Sequence, residues 1–164
     1  MTVDEMLQTL LKSYKRYYNI KTVDVAEPFM AEASFHTHDE QYFVVKAASL
    51  AEADSHEYVF FATAENIGLS EAQTLEEKAW AEGLSRVIPH ANHRSTDIVL
   101  IILSEHISED AASYIRKIKR YKSYRHTLQG WSHYSVVAME TSTGDFFFNR
   151  RGRNLKKLFC NIKK

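Results

Sequence analysis

Cysteine occurs once in the 164 residues, as Cys160, so no internal disulfide framework holds the chain and a reducing cytoplasm is the expected setting. Glycine is scarce, and Gly68, Gly83, Gly130, Gly144 and Gly152 all stand singly. No glycine-rich loop can therefore bring backbone amides around a nucleotide's phosphates, which argues against Rossmann and P-loop architectures. No serine sits in a nucleophile elbow, and Cys160, beside Phe159 on a basic terminal segment, reads as a packed or bystander thiol rather than a nucleophile. No apolar run approaches the ~20 residues of a membrane helix, so no membrane association is expected. The N-terminus lacks the basic-then-apolar pattern of a secretory signal, and the lack of a nuclear or organellar signal points to a bacterial source.

What is present suits one globular domain, with enough apolar residues, 45%, to build a core against 26% charged. The net charge of zero hides a segregation. Residues 1–110 hold 8 Lys and Arg against 19 Asp and Glu, and residues 111–164 hold 13 against 2, giving −11 and +11. Such asymmetry points to an anionic partner, or to halves that neutralise one another within the fold or across a homodimer.

Thr2 with Glu5 forms a capping box that opens a helix, with Met6, Leu7, Leu10, Leu11, Tyr14, Tyr17 and Tyr18 as its apolar stripe. Residues 21–28 read as a connection, and Pro28 favours entry into an extended segment. Three strands are expected between 29 and 63. In the first, Phe29, Ala31, Ala33 and Phe35 alternate with Glu32, Ser34, His36 and His38, which share a water-facing side. Residues 42–47 make the second, and residues 56–63, apolar on both faces, the third.

Ser70 with Gln73 repeats the capping signature and opens a helix to about Val87, stopped by Pro89. The β-branched run 97–103 is the strand most suited to burial on both faces. Ser108, with Glu109 and Asp110, starts a third helix reaching about Leu128, before Gly130. Residues 134–140 and 145–149 form a hairpin around a turn containing Gly144, and Leu155, Leu158, Phe159 and Ile162 mark a short terminal helix. The expected fold is one α+β domain: a mixed sheet of five or six strands with helices on both faces, in the order α-β-β-β-α-β-α-β-β-α.

Two groups of residues carry chemistry. Arg116, Lys117, Lys119, Arg120, Lys122 and Arg125 interleave with Tyr114, Tyr121, Tyr124, Trp131 and Tyr134, and Arg150, Arg151, Arg153, Lys156 and Lys157 form a second basic cluster. Cations beside rings suit nucleic acid, the cations meeting phosphates and the rings stacking on unpaired bases. The plainer alternative is a helix whose Tyr114, Ile118 and Tyr121 face the core while its cations face solvent and the acidic half. The other group is histidine. His36 and His38 project from one side of a strand, and His90 and His93 precede the 97–103 run, so the four could supply nitrogen ligands to a divalent metal. Solvated or hydrogen-bonded histidines are the alternative. No cofactor is otherwise indicated.

The order helix, three strands, helix, strand resembles the core of restriction-endonuclease-like nucleases. That resemblance implies an acid near the second strand and a Glu or Asp two residues before a Lys on the third. The third strand reads Glu57-Tyr58-Val59-Phe60, with hydrophobic residues where the lysine should stand. Lys46 lies one strand early with Val44 in place of its acid, so no catalytic residue carries over. The runs His56-Glu57-Tyr58-Val59-Phe60-Phe61 and Thr143-Gly144-Asp145 to Asn149-Arg150-Arg151-Gly152 are similar to a family of small uncharacterised bacterial proteins, a likeness that brings no activity or site. The leading expectation is a binding or interaction module without catalytic activity, suited to homodimerisation through its opposed charges. The alternatives are a nucleic-acid-binding protein using Arg116, Lys117, Lys119, Arg120, Arg150, Arg151 and Arg153, and a metal-dependent hydrolase around His36, His38, His90 and His93.

Overall fold

Ile98, Leu100 and Ile102 point to one side of a central strand and Val99, Ile101 and Leu103 to the other, and all six are buried. A strand with two apolar faces needs cover on both. The computed structural model, which describes residues 1–36, 54–90 and 93–162, supplies it. In chain order the elements are α1 (Val3–Tyr14), β1 (Asn19–Lys21), β2 (Ala31–His36), β3 (Asp54–Ile67), α2 (Leu69–Ser85), β4 (His93–Ile107), α3 (Glu109–Lys117), β5 (Tyr121–Ser123), β6 (Trp131–Glu140), β7 (Phe146–Phe148), a 3-10 turn (Arg151–Leu155) and α4 (Lys156–Ile162).

Among the described residues seven strands form one mixed sheet in the order β1-β2-β3-β4-β6-β5, and β7 takes the rest of the free edge of β6. β1, β2 and β3 are antiparallel, whereas β3, β4 and β6 are parallel and joined through α2 and α3. The two crossovers advance in the same direction, and right-handed crossovers of that kind place both helices on one face. Ala72, Leu75, Ala79 and Trp80 of α2 and Ala111, Ala112 and Ile115 of α3 accordingly pack on Phe60, Ile98, Leu100, Tyr134 and Val136. The chain ends cover the opposite face, where Met6, Leu7, Leu10, Leu11 and Tyr14 of α1 and Phe159 of α4 meet Val59, Phe61, Val99, Ile101, Val137 and Met139. The fold is α+β, as the pattern predicts.

Several expected boundaries move. The Thr2 and Glu5 capping box is present, but α1 ends at Tyr14, so Tyr18 sits on the turn that follows and β1 occupies part of the expected connection. α2 starts earlier than Ser70, from Gly68, whose amide donates to Glu71. The polar side of β2 is only partly open to water: Ser34 and His36 are half-buried, and Glu32 is 8% exposed and accepts from Arg86, at the end of α2, at 2.7 Å. The expected strand at 42–47, like His38, lies outside the described residues. The largest difference is α3, which stops at Lys117 instead of running to about Leu128, because Ile118 turns to extended backbone and β5 pairs with β6.

Asn149 explains that stop. It is 1% exposed, and its Nδ2 donates to the carbonyls of Ile118 (3.2 Å) and Tyr134 (3.0 Å). Its Oδ1 accepts from the amides of Val136 (2.9 Å) and Gly152 (2.8 Å). One side chain thus joins the end of α3, strand β6 and the 3-10 turn. Gly152 is held so close that an added Cβ would meet the Val136 carbonyl oxygen at 2.1 Å, a contact only glycine avoids. Replacing Asn149 by Ala leaves buried amides and carbonyls unpaired, each at about 1–3 kcal/mol. We expect Asn149→Ala to lower the unfolding free energy in urea by about 3 kcal/mol; a loss below about 1 kcal/mol would show that these bonds do not hold the three segments together.

Candidate functional site

The Asn149 junction brings the two basic segments side by side. Arg116, Lys117, Lys119 and Arg120, from the end of α3 and the residues after it, share the wall of one cavity of about 670 Å³ with Arg150 and Arg151. Tyr121 and His133 complete its rim. Six of the seven basic residues singled out in the sequence therefore converge. The seventh, Arg153, lines an adjoining depression of about 590 Å³ that shares Arg116, Asn149 and Arg150 with the first. A third, of about 690 Å³, continues past Arg153 to Lys156, Lys157 and Cys160.

The acidic half neutralises little of this charge. Arg120 pairs with the buried Glu76, which also accepts from Tyr114 at 3.2 Å, so this cation is structural. Arg151 lies 3.9 Å from Asp97, both half-exposed, a separation worth little in water. Among the described residues no carboxylate pairs with Lys117, Lys119, Arg150 or Arg153. The Arg116 guanidinium lies over the Phe147 ring at 5.0 Å, a cation–π contact, and the residue also lines the cavity. Lys117, Lys119, Arg150 and Arg153 are exposed, but the expected helical stripe does not form: Ile118 is buried, whereas Tyr121, on β5, is 52% exposed.

A second polar group lies next to the cavity, on the face covered by α1 and α4. Glu57 of β3, Asp97 of β4, His133 of β6 and Tyr121 of β5 are successive register partners, so they form one row across four strands. Tyr18 donates to Glu57, and burial next to that carboxylate pushes the phenol far up. Burial also raises the Glu57 carboxyl; the Tyr18 hydrogen bond opposes this and Asp97 adds to it. Burial raises Asp97 in turn, against the pull of Arg151 and His133. His133 is pushed down, first by burial and then by Arg151, while Asp97 works the other way. Groups shifted together in a cleft can exchange protons or hold a polar ligand.

The histidines take another place. His36 and His56 are register partners on the opposite face, their Nδ1 atoms hydrogen-bonded to one another. His93 is 4% exposed; its Nδ1 donates to the Gln129 carbonyl at 2.7 Å and its Nε2 meets the Thr96 hydroxyl at 2.8 Å. Both nitrogens of His93 are thereby occupied, and in the neutral ring Nε2 accepts from Thr96. The His90 ring lies 6.1 Å from that of His93, and His56 stacks on His93 at 6.2 Å. The structure thus gathers His36, His56, His90 and His93 near the start of β3 and β4. Among the described residues no three His, Cys, Asp or Glu side chains are placed to hold a metal ion.

The sequence pattern singles out neither Asp97 nor His133, and Glu57 enters it only at the acid position of a nuclease motif whose lysine is missing. The available signal was parity: Glu57 and Asp97 each stand two positions before a buried valine, Val59 or Val99, and His133 stands four before Val137, on the same side of its strand. No element of the described residues is long and apolar enough to cross a membrane as a helix.

The carboxyl shifts carry a pH prediction. Folding raises both pKa values, so the folded chain holds these protons more tightly than the unfolded one. Their contribution to stability is full below about pH 4, the unfolded range, and is lost as pH rises through the raised folded values. Glu57→Gln keeps an acceptor for Tyr18 and removes one titration, so its unfolding free energy should fall less than the parent's between about pH 4 and pH 7; identical slopes in urea titrations would refute the assignment.

No curated protein and no solved structure matches the chain. The family described as "Domain of unknown function (DUF8052)" matches residues 2–161. The chain belongs to that family, an uncharacterised one, as its resemblance to small uncharacterised proteins implies.

Proposed function

We propose that this protein is a binding module for anionic polymers, nucleic acid foremost, and that it works without catalysis. The observation that supports this reading is the meeting of two basic segments, some thirty positions apart in the chain, in one concave surface whose cations mostly lack carboxylate partners among the described residues. Like charges gathered without partners repel one another, and a polyanion relieves that repulsion while releasing its own counterions. The three adjoining depressions favour an extended ligand over a single phosphate, since they share walls from Arg116 to Lys157. A homodimer in which the acidic half of one copy covers this surface is the competing occupant, drawn from the same charge segregation.

Retention of labelled nucleic acid at rising salt tests the reading. Affinity should fall linearly on a log–log plot, with a slope of about 0.7–0.9 for each phosphate contacted. Lys119→Ala and Arg150→Ala should each reduce that slope by about one contact. Asp97→Asn, which removes the carboxylate facing Arg151, should strengthen binding at neutral pH. Absence of binding at low salt sinks the proposal, and a shift from dimer to monomer in Lys119→Ala would assign the surface to a second copy instead.

A further inference from the structure

The cavity has an aromatic rim as well as basic walls. Tyr121 is one of the few large apolar side chains left open, at 52% exposure, although it stands in a sheet strand. Its ring lies 5.1 Å from that of His133, its register partner on β6. Trp131, two residues earlier on β6 and therefore on the same face, lies 6.5 Å from His133. Three rings thus form a ridge along the last two strands, at the edge of the sheet, while Lys119, Arg150 and Arg151 stand on the cavity side of it.

We infer that this edge is a site for single-stranded nucleic acid, in which an unpaired base stacks on Tyr121 while the adjoining phosphates lie among Lys119, Arg150 and Arg116. The inference rests on the polyanion reading above and adds its ligand class. An unpaired base exposes its π-face and gains by laying it on an aromatic ring, whatever the base. A duplex keeps those faces within its own stack and offers only groove edges and phosphates. An inorganic polyphosphate, or an acidic segment of a second copy, would use the cations and leave the ridge idle. The cations alone do not tell these occupants apart; Tyr121 does.

The test uses the full chain and three ligands of equal length, about 15 units: oligothymidylate, a DNA duplex and polyphosphate, each followed by fluorescence anisotropy at low salt. Oligothymidylate should bind best. Tyr121→Ala should weaken its binding by about tenfold, leave polyphosphate unchanged, and be rescued by Tyr121→Phe. Trp131 gives a second readout, because the other tryptophan, Trp80, is buried on the core side of α2 and supplies a constant background. Oligothymidylate should quench the emission, and Trp131→Phe should abolish the quench, a result that decides the matter even if Tyr121→Ala does not fold. Equal binding of all three ligands, with no quench and no effect at Tyr121, overturns the stacking site while the polyanion reading stands. Failure of all three to bind at low salt overturns both.

Discussion

The four hydrogen bonds of Asn149 are the constraint on which the rest of the basic surface depends. A buried amide that satisfies two carbonyls and two amides on three separate segments has one permitted position for each of them. It holds Ile118 where α3 would otherwise continue, and it seats the 3-10 turn against β6. The approach at Gly152 is part of the same joint, since no larger residue could bring Arg150 and Arg151 beside the Val136 carbonyl. Two cationic stretches that would repel in a free chain are thereby kept together by neutral, buried hydrogen bonds.

That arrangement separates the work of stability from the work of charge. The core on both faces of the sheet is made of uncharged side chains, and the deeply buried acid, Glu76, is matched by Arg120 and by the Tyr114 hydroxyl. A buried carboxylate left without such partners would be costly, so Arg120 belongs to the fold even though it also lines the cavity. The cations beyond it sit where water or a ligand can solvate them. Their clustering costs the fold little while exposed, and it remains available to whatever neutralises it.

The architecture was legible where one local signal spoke alone. The Thr2 capping box, the doubly apolar run at 98–103, the Ser108 cap and the Gly144 hairpin all appear as read. The limits of α3 were not legible. Tyr114, Ile118 and Tyr121 keep helical spacing, yet the Ile118 carbonyl goes to a side chain thirty-one positions away, and Tyr121 to a strand edge. Past that point Arg125, His126 and Thr127 take positive φ values of 45°, 52° and 73°, conformations that composition does not announce. Short edge strands such as β1 and β5 carry no periodicity of their own and exist because a neighbour offers an unpaired edge. The basic residues were legible as two clusters; that they form one surface is a tertiary fact. Glu57, Asp97 and His133 were hidden for the same reason, since residues at the starts of three strands make a row only once the register is known.

The same row also bounds the site. Asp97 faces Arg151 across 3.9 Å, and Glu57 stands beyond it next to the Tyr18 hydroxyl. An anionic polymer advancing along the cavity would meet cations until Arg151 and carboxylates immediately after it, so attraction turns to repulsion within one or two strand spacings, about 5–10 Å. On the proposed polyanion reading, such a boundary would limit how far a ligand could slide onto the sheet face. It also makes Arg151 a shared group, pulled one way by Asp97 and the other by any phosphate. On that reading, the negative row would set where the ligand stops, much as the positive walls would set where it binds.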